Sequence, residues 1–146
     1  MDQIAFACAS KHSQSYCVTA SVNRVNFLNP IEVGELITLK ASINYTGRTS
    51  MVVGVRVVSE DVATGKVKHC NSSYFTMVAK DKNGENKTVP GLILKSKHDI
   101  RRFARSMERK ESAFHRDSKY QPSNFMAHEF LESLKGENVT MELDLG

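Results

Sequence analysis

Residues 1–13 read MDQIAFACASKHS, and long β-branched segments follow them. Apolar side chains lie nearly all round this stretch, which predicts a helix over residues 2–13, about 18 Å long. A helix of that composition should be buried on every side, so we expect the following strands to enclose it. Asp2 lies in its first turn, where a carboxylate stabilises the helix and could also deprotonate water or attack a carbonyl.

Strands are predicted after the helix from β-branched content and from alternation of apolar and polar residues. Residues 16–22, 51–60 and 67–80 are such segments, and turn residues at 46–49 and 63–66 indicate antiparallel hairpins. From Leu36 onward the alternation predicts a half-buried strand. Its buried face is expected to carry Ile37, Leu39, Ala41, Ile43 and Tyr45.

The composition changes after Gly91 to that of a basic amphipathic helix. Apolar residues recur at helical spacing and predict a helix over about residues 97–114, and a further short helix is predicted over 126–134. We therefore assign residues 1–92 to one domain and residues 93–146 to a C-terminal helical extension. The basic side of the helix is typical of a solvated face, and contact with a partner subunit or with nucleic acid is an alternative.

Length, charge and cysteine content limit the class of protein. A chain of 146 residues with a net charge of +4 suits one soluble domain. No apolar run is long enough to cross a bilayer and no export signal is apparent, so we expect no membrane partner. Nucleic acid is not expected either, because aromatic residues do not alternate with the basic ones. Three widely spaced cysteines favour the reducing cytoplasm.

Two short motifs admit a chemical role, although a structural one is commoner. The turn at residues 46–50 offers a glycine, an arginine and hydroxyl groups that could donate to phosphate oxygens. Cys8 and His12 are four residues apart on the predicted helix, yet no second pair follows at the spacing of a zinc site. We therefore expect no metal.

Taken together in register, residues 1–92 resemble the acyl-CoA thioesterases of the hotdog-fold family, in the branch of the cytosolic brain-type acyl-CoA hydrolases. Residues 1–5 (MDQIA) resemble the Met-Asp-Glu-Ala-Ala that begins the central helix of those enzymes, and residues 10–13 (SKHS) look like the Arg-His-Ser that closes it. The similarity continues through VTASVNRVNFLNP at 18–30, VGEL at 33–36, YTGRTSM at 45–51, FTMVAKD at 75–81 and VPGL at 89–92.

This resemblance implies an α+β hotdog fold, in which an antiparallel sheet wraps around a central helix, with an additional C-terminal helix. It implies hydrolysis of acyl-CoA to a free fatty acid and coenzyme A, with Asp2 as the catalytic aspartate, acting as general base or as nucleophile. The substrate-binding residues that it implies are Asn26 and Phe27 in the loop beside the site, and Gly47, Arg48, Thr49 and Ser50 beside coenzyme A. No cofactor is expected, because coenzyme A belongs to the substrate.

Members of this family pair hotdog domains into dimers, often three dimers to a hexamer, with active sites at the dimer interfaces. The resemblance thus implies a homo-oligomer in which two subunits serve each site. Family members also carry a first strand, an Asn and a His-Gly-Gly segment before the Met-Asp, whose backbone N–H groups hold the thioester oxygen. Residue 1 follows that segment, so the 1–92 domain is expected to be N-terminally truncated: either the sequence begins inside the domain, or the protein lacks this part, and in the second case we expect weakened hydrolysis. A module that binds acyl-CoA or coenzyme A without hydrolysing it is the alternative.

Overall fold

The computed structural model describes the backbone of residues 1–119 and the side chains of residues 1–112. The elements in chain order are α1 (Asp2–Ser13), β1 (Tyr16–Phe27), β2 (Leu36–Thr46), β3 (Ser50–Glu60), β4 (Val67–Lys80) and α2 (Lys97–Lys119). The predicted α+β class is confirmed, although β1 runs to Phe27 rather than ending at residue 22. The predicted helix over 126–134 lies outside the described residues. One compact unit extends from Met1 to Met107, and a second begins at Glu108.

The four strands form one antiparallel sheet in the order β1-β4-β3-β2. Strands β2, β3 and β4 follow one another as hairpins, as the turn residues predict. Strand β1 pairs with β4 instead of with β2. Strands β1 and β2, which follow one another in the sequence, therefore lie at opposite edges of the sheet. Each of these edge strands therefore has one row of backbone groups that pairs with no other strand of the described chain.

The core lies between α1 and one face of the sheet. Ala5 and Ala9 are one turn apart on α1 and fully buried, and their small side chains allow the helix to approach the strands closely. The sheet contributes inward-facing residues of β1, β3 and β4, namely Cys17, Met51, Val53, Val55, Phe75, Met77 and Ala79. Burial of apolar surface in this contact stabilises the unit by about 25 cal/mol per Å².

Helix α1 is buried on one face and not all round. Its buried residues are Ala5, Ala9 and Ser13, whereas Phe6 is 36% exposed and Ala7 is exposed. The expectation of burial on every side is therefore wrong for a single copy, because the sheet supplies an apolar surface on one side of the helix. The helix ends where Gln14 adopts the left-handed conformation, with φ of 51°.

A β-bulge in β2 makes one prediction wrong, because Tyr45 does not lie on the buried face of this strand as expected. The register with β3 shifts between Ile43 and Tyr45, so one extra residue, Asn44, lies between them. Tyr45 consequently points away from α1 and its ring lies 4.9 Å from that of Phe103, measured between centroids. Asn44 is only 5% exposed and packs where Gly54 has no side chain, since a Cβ on Gly54 would collide with the Asn44 amide.

Helix α2 begins at a capping box. The Ser96 hydroxyl accepts from the Asp99 N–H at 3.2 Å, and the Asp99 carboxylate accepts from the Ser96 N–H at 3.0 Å. The hydrogen bond from the Ser96 side chain is the main reason that the pKa of Asp99 is lowered. Of its predicted apolar residues, Phe103 is half-buried, whereas Ile100 and Met107 are exposed. Neither described helix is long and apolar enough to cross a bilayer.

Candidate active site

Asp2 meets a hydroxyl group from the sheet at the first turn of α1. The Oγ1 of Thr19 donates a hydrogen bond of 2.7 Å to Oδ1 of Asp2. Thr19 lies on β1 opposite Met77, on the face of the sheet that packs against the helix, and its hydroxyl is 3.3 Å from the Met77 sulfur. The helix and the edge strand thus fix one oxygen of the carboxylate.

The packing of α1 explains why these two side chains meet. Asp2 precedes Ala5 by three residues, so it belongs to the helix face that lies on the sheet. No other side chain of the described part of the chain hydrogen-bonds its second oxygen, Oδ2. Asp2 is also exposed to solvent. A carboxylate held by one oxygen, with the other open to solvent, can bind and deprotonate a water molecule or attack a carbonyl carbon.

Thr19 is a site residue that sequence reasoning missed. Its signal was weak, because a threonine is common in any strand and its partner is 17 residues away. The usable clue was its position in the first strand after the helix, two residues beyond the buried Cys17 on the same face. A hydroxyl group on that face lies within reach of the helix, so a hydrogen bond to a helix side chain could have been expected.

Asn26 and Phe27 lie at the far end of β1 from Thr19. They are consecutive in the strand, so their side chains point to opposite faces. The Oδ1 of Asn26 accepts a hydrogen bond of 2.9 Å from Nε of Arg24. Phe27 lies opposite the buried Asn71, on the helix-facing side, yet its side chain is 82% exposed. Most of the Phe27 ring therefore lies in solvent in a single copy.

The predicted coenzyme A turn, residues 47–50, joins β2 to β3 beside the other end of α1. The Arg48 carbonyl accepts from the Val89 N–H at 2.9 Å, and the Thr49 carbonyl accepts from the Ala79 N–H at 3.0 Å. Ala79 pairs with Cys17, whose sulfur is 3.3 Å from the Ser13 hydroxyl at the C-terminal end of α1. Neither the turn nor the end of β1 shares a hydrogen bond with Asp2 among the described residues, although Met51, directly after the turn, pairs with Met77, which lies opposite Thr19.

A cavity of about 370 Å³ opens next to residue 1. Its walls are mainly apolar and come from Met1, from the end of β1 and from the inward faces of β2 and β3, namely Phe27, Ile37, Leu39 and Val57. Asn71 of β4 also lines it. A concave apolar site of this size, with a polar group in its wall, has the properties of a small-molecule pocket.

Cys8 and His12 lie four residues apart on α1 in different surroundings. The Nε2 of His12 is 3.0 Å from the carbonyl oxygen of Pro90, which ties the C-terminal half of α1 to the segment after β4. Burial raises the pKa of the Cys8 thiol. Within the described chain, no three His, Cys, Asp or Glu side chains are grouped so that they could hold a metal ion.

Comparison with known proteins places this geometry in a family. The sequence profile of the thioesterase superfamily matches residues 1–66, which include Asp2 and Thr19. A solved hexameric acyl-CoA thioesterase is 38% identical and superposes with a TM-score of 0.77, over 80% of this chain and 74% of that one. The chain belongs to the thioesterase superfamily. Its fold is the hotdog fold that the resemblance implied.

Two further relatives add detail. The protein VdlD of Helicobacter pylori is 44% identical over 111 residues, which are 76% of this chain. This thioesterase-family chain matches 63% of the length of VdlD. An acyl-CoA hydrolase from Staphylococcus aureus, solved with butyryl coenzyme A, coenzyme A and coenzyme A disulfide, is 31% identical with a TM-score of 0.74, over 92% of this chain and 77% of that one. Alanine variants of one aspartate and of one threonine of that hydrolase are also solved.

Proposed function

We propose that the protein hydrolyses acyl-CoA thioesters to a free fatty acid and coenzyme A, and that Asp2 is its catalytic residue. The observation that carries this proposal is the 2.7 Å hydrogen bond from Thr19 to Asp2 at the start of the helix, in a chain of the thioesterase superfamily. No metal or other cofactor is needed, because an aspartate and water are sufficient for the reaction.

The Staphylococcus aureus hydrolase supports the pairing of these two residues. The aspartate and the threonine that were replaced by alanine in its solved variants are 17 residues apart. Asp2 and Thr19 have the same separation, and here the two side chains are in direct contact. Thr19 is therefore proposed as a positioning residue, which orients the carboxylate and leaves Oδ2 free for the reaction.

Two routes agree with this arrangement. In the first, Oδ2 of Asp2 takes a proton from water, the water oxygen attacks the thioester carbon, and the carbon–sulfur bond breaks as coenzyme A leaves and is protonated. In the second, a carboxylate oxygen attacks the thioester carbon, coenzyme A leaves, and water then hydrolyses the resulting anhydride. Turnover in ¹⁸O-labelled water separates them, because only the second route can place the label in the Asp2 carboxylate.

Coenzyme A binding is proposed to involve a second copy of the chain. The resemblance assigns the turn of Gly47, Arg48, Thr49 and Ser50 to coenzyme A, and no hydrogen bond among the described residues joins that turn to Asp2. A dimer, three of which would form a hexamer, could bring the turn of one subunit towards Asp2 of another. Support comes from the hexameric state of the solved relative. Asn26 and Phe27 are proposed to line the same composite site.

The proposed location is the cytoplasm. All three cysteines are free thiols, and two of them, Cys17 and Cys70, are buried beside hydroxyl groups rather than paired. Free cysteines persist in a reducing compartment. Fractionation of cells expressing the tagged chain tests this location, and recovery in a secreted fraction would contradict it.

The function is tested by following thiol release from acyl-CoA substrates with the wild-type chain and with Asp2→Asn, which has the same shape but lacks the charge. We expect kcat to fall by about 10²- to 10⁴-fold, as is typical for loss of a general base. Thr19→Val should lower kcat by a smaller factor. Thr38→Val is the matched control, because Thr38 is an exposed residue of β2, and it should leave kcat unchanged.

Two results would contradict the proposal. If Asp2→Asn kept full activity, Asp2 would not be the catalytic group. If the wild-type chain bound acyl-CoA in calorimetry but released no thiol from any substrate, the chain would be a binding module instead. Far-ultraviolet circular dichroism on each variant controls for loss of the fold.

A further inference from the structure

A short segment after β4 runs back along the end of the sheet, and we call residues 85–90 the return segment. The chain reverses at a turn in which the Asp81 carboxylate accepts hydrogen bonds from two backbone N–H groups, at 2.8 Å and 3.0 Å. Beyond this turn, an antiparallel bridge joins Asn86 to Lys80, the last residue of β4. The return segment is therefore paired through its backbone and has a defined position beside β4.

The return segment also lies against the predicted coenzyme A turn. The N–H of Ala79 donates to the Thr49 carbonyl at 3.0 Å, and the C=O of the same residue accepts from the Lys87 N–H at 2.9 Å. The N–H and C=O groups of one strand residue point to the same side of the strand. Two residues further along, the Val89 N–H donates to the Arg48 carbonyl at 2.9 Å. The backbone of Lys87 and the backbone of the turn are thus neighbours on one side of β4.

This pairing places two exposed cations on neighbouring segments. The side chains of Lys87 and Arg48 are exposed, and neither forms an ion pair or a hydrogen bond with another described residue. Of the two acids in the turn after β4, Asp81 accepts from backbone N–H groups, and Glu85 forms no ion pair within the described chain. Two uncompensated positive charges on adjacent segments attract an anionic group.

We propose that Lys87 and Arg48 bind one phosphate group of coenzyme A, and that Lys87 thereby selects coenzyme A thioesters over thioesters of pantetheine. An arginine fork binds two oxygens of a phosphate, and a lysine ammonium adds a point charge and a further donor. The resemblance assigned only the turn to coenzyme A, whereas Lys87 belongs to a separate segment that the fold brings beside it. Coenzyme A offers a 3′-phosphate and a diphosphate of the same chemistry, and the substrates of the test distinguish them. This inference rests on the proposed hydrolase function and adds a determinant of its substrate.

The test compares kcat/KM of the wild-type chain and of Lys87→Met for three substrates. These are butyryl-CoA, butyryl-dephospho-CoA, which lacks the 3′-phosphate, and butyryl-pantetheine, which lacks every phosphate. We expect Lys87→Met to lower the ratio of butyryl-CoA to butyryl-pantetheine by about tenfold through a higher KM, as for loss of one hydrogen bond to a charged group. A fall in the ratio of butyryl-CoA to butyryl-dephospho-CoA identifies the 3′-phosphate as the bound group. A fall only in the ratio of butyryl-dephospho-CoA to butyryl-pantetheine identifies the diphosphate.

Two further variants separate a binding site from a general effect of charge. Lys82→Met removes the same charge from an exposed residue outside the return segment, so it should keep the wild-type ratio. Lys87→Arg keeps the charge and should retain most of the ratio. An unchanged ratio in Lys87→Met, or an equal fall in Lys82→Met, would overturn this inference and leave the hydrolase function standing. No turnover of any of the three substrates by the wild-type chain would overturn both.

Discussion

Two regions of the sheet face that packs against α1 carry similar apolar side chains, but one region is buried and the other is partly exposed to solvent. Under α1, residues such as Met51, Val53 and Met77 are fully buried. Beyond the N-terminal end of the helix, Ile37 and Leu39 of the same face are 46% and 37% exposed. The chemistry of the side chains does not explain this difference, because all five are apolar.

Among the described residues, the difference follows the part of the sheet face on which α1 packs. Helix α1 has 12 residues and spans about 18 Å, whereas β4 has 14 residues and spans about 46 Å. The helix can therefore cover less than half of the strand face beneath it. An apolar strand pattern indicates a face that can be buried. Which residues of that face become core depends on the element that packs against it.

The largest effect is expected from truncation in the covered region. Met51→Ala removes a side chain that is fully buried against α1, so it should lower the free energy of unfolding by about 3 kcal/mol through lost burial and the cavity left behind. Urea denaturation followed by circular dichroism measures this change. Leu39→Ala in the uncovered region is the matched control and should cost about 1 kcal/mol, since part of its surface is already in water. Equal costs would contradict the distinction between the two regions.

A smaller effect is expected on the outer face of the covered region, at the bulge. Gly54→Ala places a methyl group against the Asn44 amide, and we expect it to destabilise the protein by about 2 kcal/mol. Combining it with Asn44→Ala removes the collision, so the double variant should be more stable than the sum of the single changes predicts. Additive losses in a thermal unfolding cycle would show that the two residues are not coupled.

The smallest effect is expected from an ion pair at the border of the uncovered region. Nζ of Lys68 lies 2.8 Å from Oε1 of Glu35, and this hydrogen bond is the main reason that the pKa of Glu35 is lowered from 4.5. A lowered folded-state pKa means that the pair stabilises the protein above the unfolded pKa and loses its effect as pH falls through the folded pKa. Glu35→Gln should therefore lower Tm slightly at pH 7 and leave it unchanged at pH 2 to 3. A difference in Tm that persists at the acid end would contradict this linkage.

Composition and turn residues made several elements predictable from sequence. The predicted bounds of α1, β3 and β4 agree with the structure within one residue, because α1 is an apolar stretch and the two strands are β-branched segments that end at turn residues. Strand β1 was predicted too short, since its two bulges interrupt the alternation near Asn23. The face of Tyr45 was predicted wrongly for a related reason, because nothing in the local pattern reveals the extra residue at Asn44.

The candidate site could be predicted only in part. The start of an apolar helix made Asp2 a candidate, but its catalytic role was predicted only from the resemblance to the acyl-CoA thioesterases. Its contact with Thr19 depends on how closely α1 lies on the sheet, and that distance follows from the tertiary packing of Ala5 and Ala9. The roles of the turn at residues 47–50 and of Asn26 and Phe27 stay predictions, because their contacts within a single copy do not test them.

The bulges of β1 also affect how the molecule behaves in a crowded solution. An edge strand of 12 residues would normally recruit any other extended chain and seed aggregation. Two register shifts interrupt its ladder with β4, and such bulges increase the local twist of a strand. A flat extended chain therefore cannot pair with the free edge over its whole length, which lowers the tendency of the molecule to aggregate.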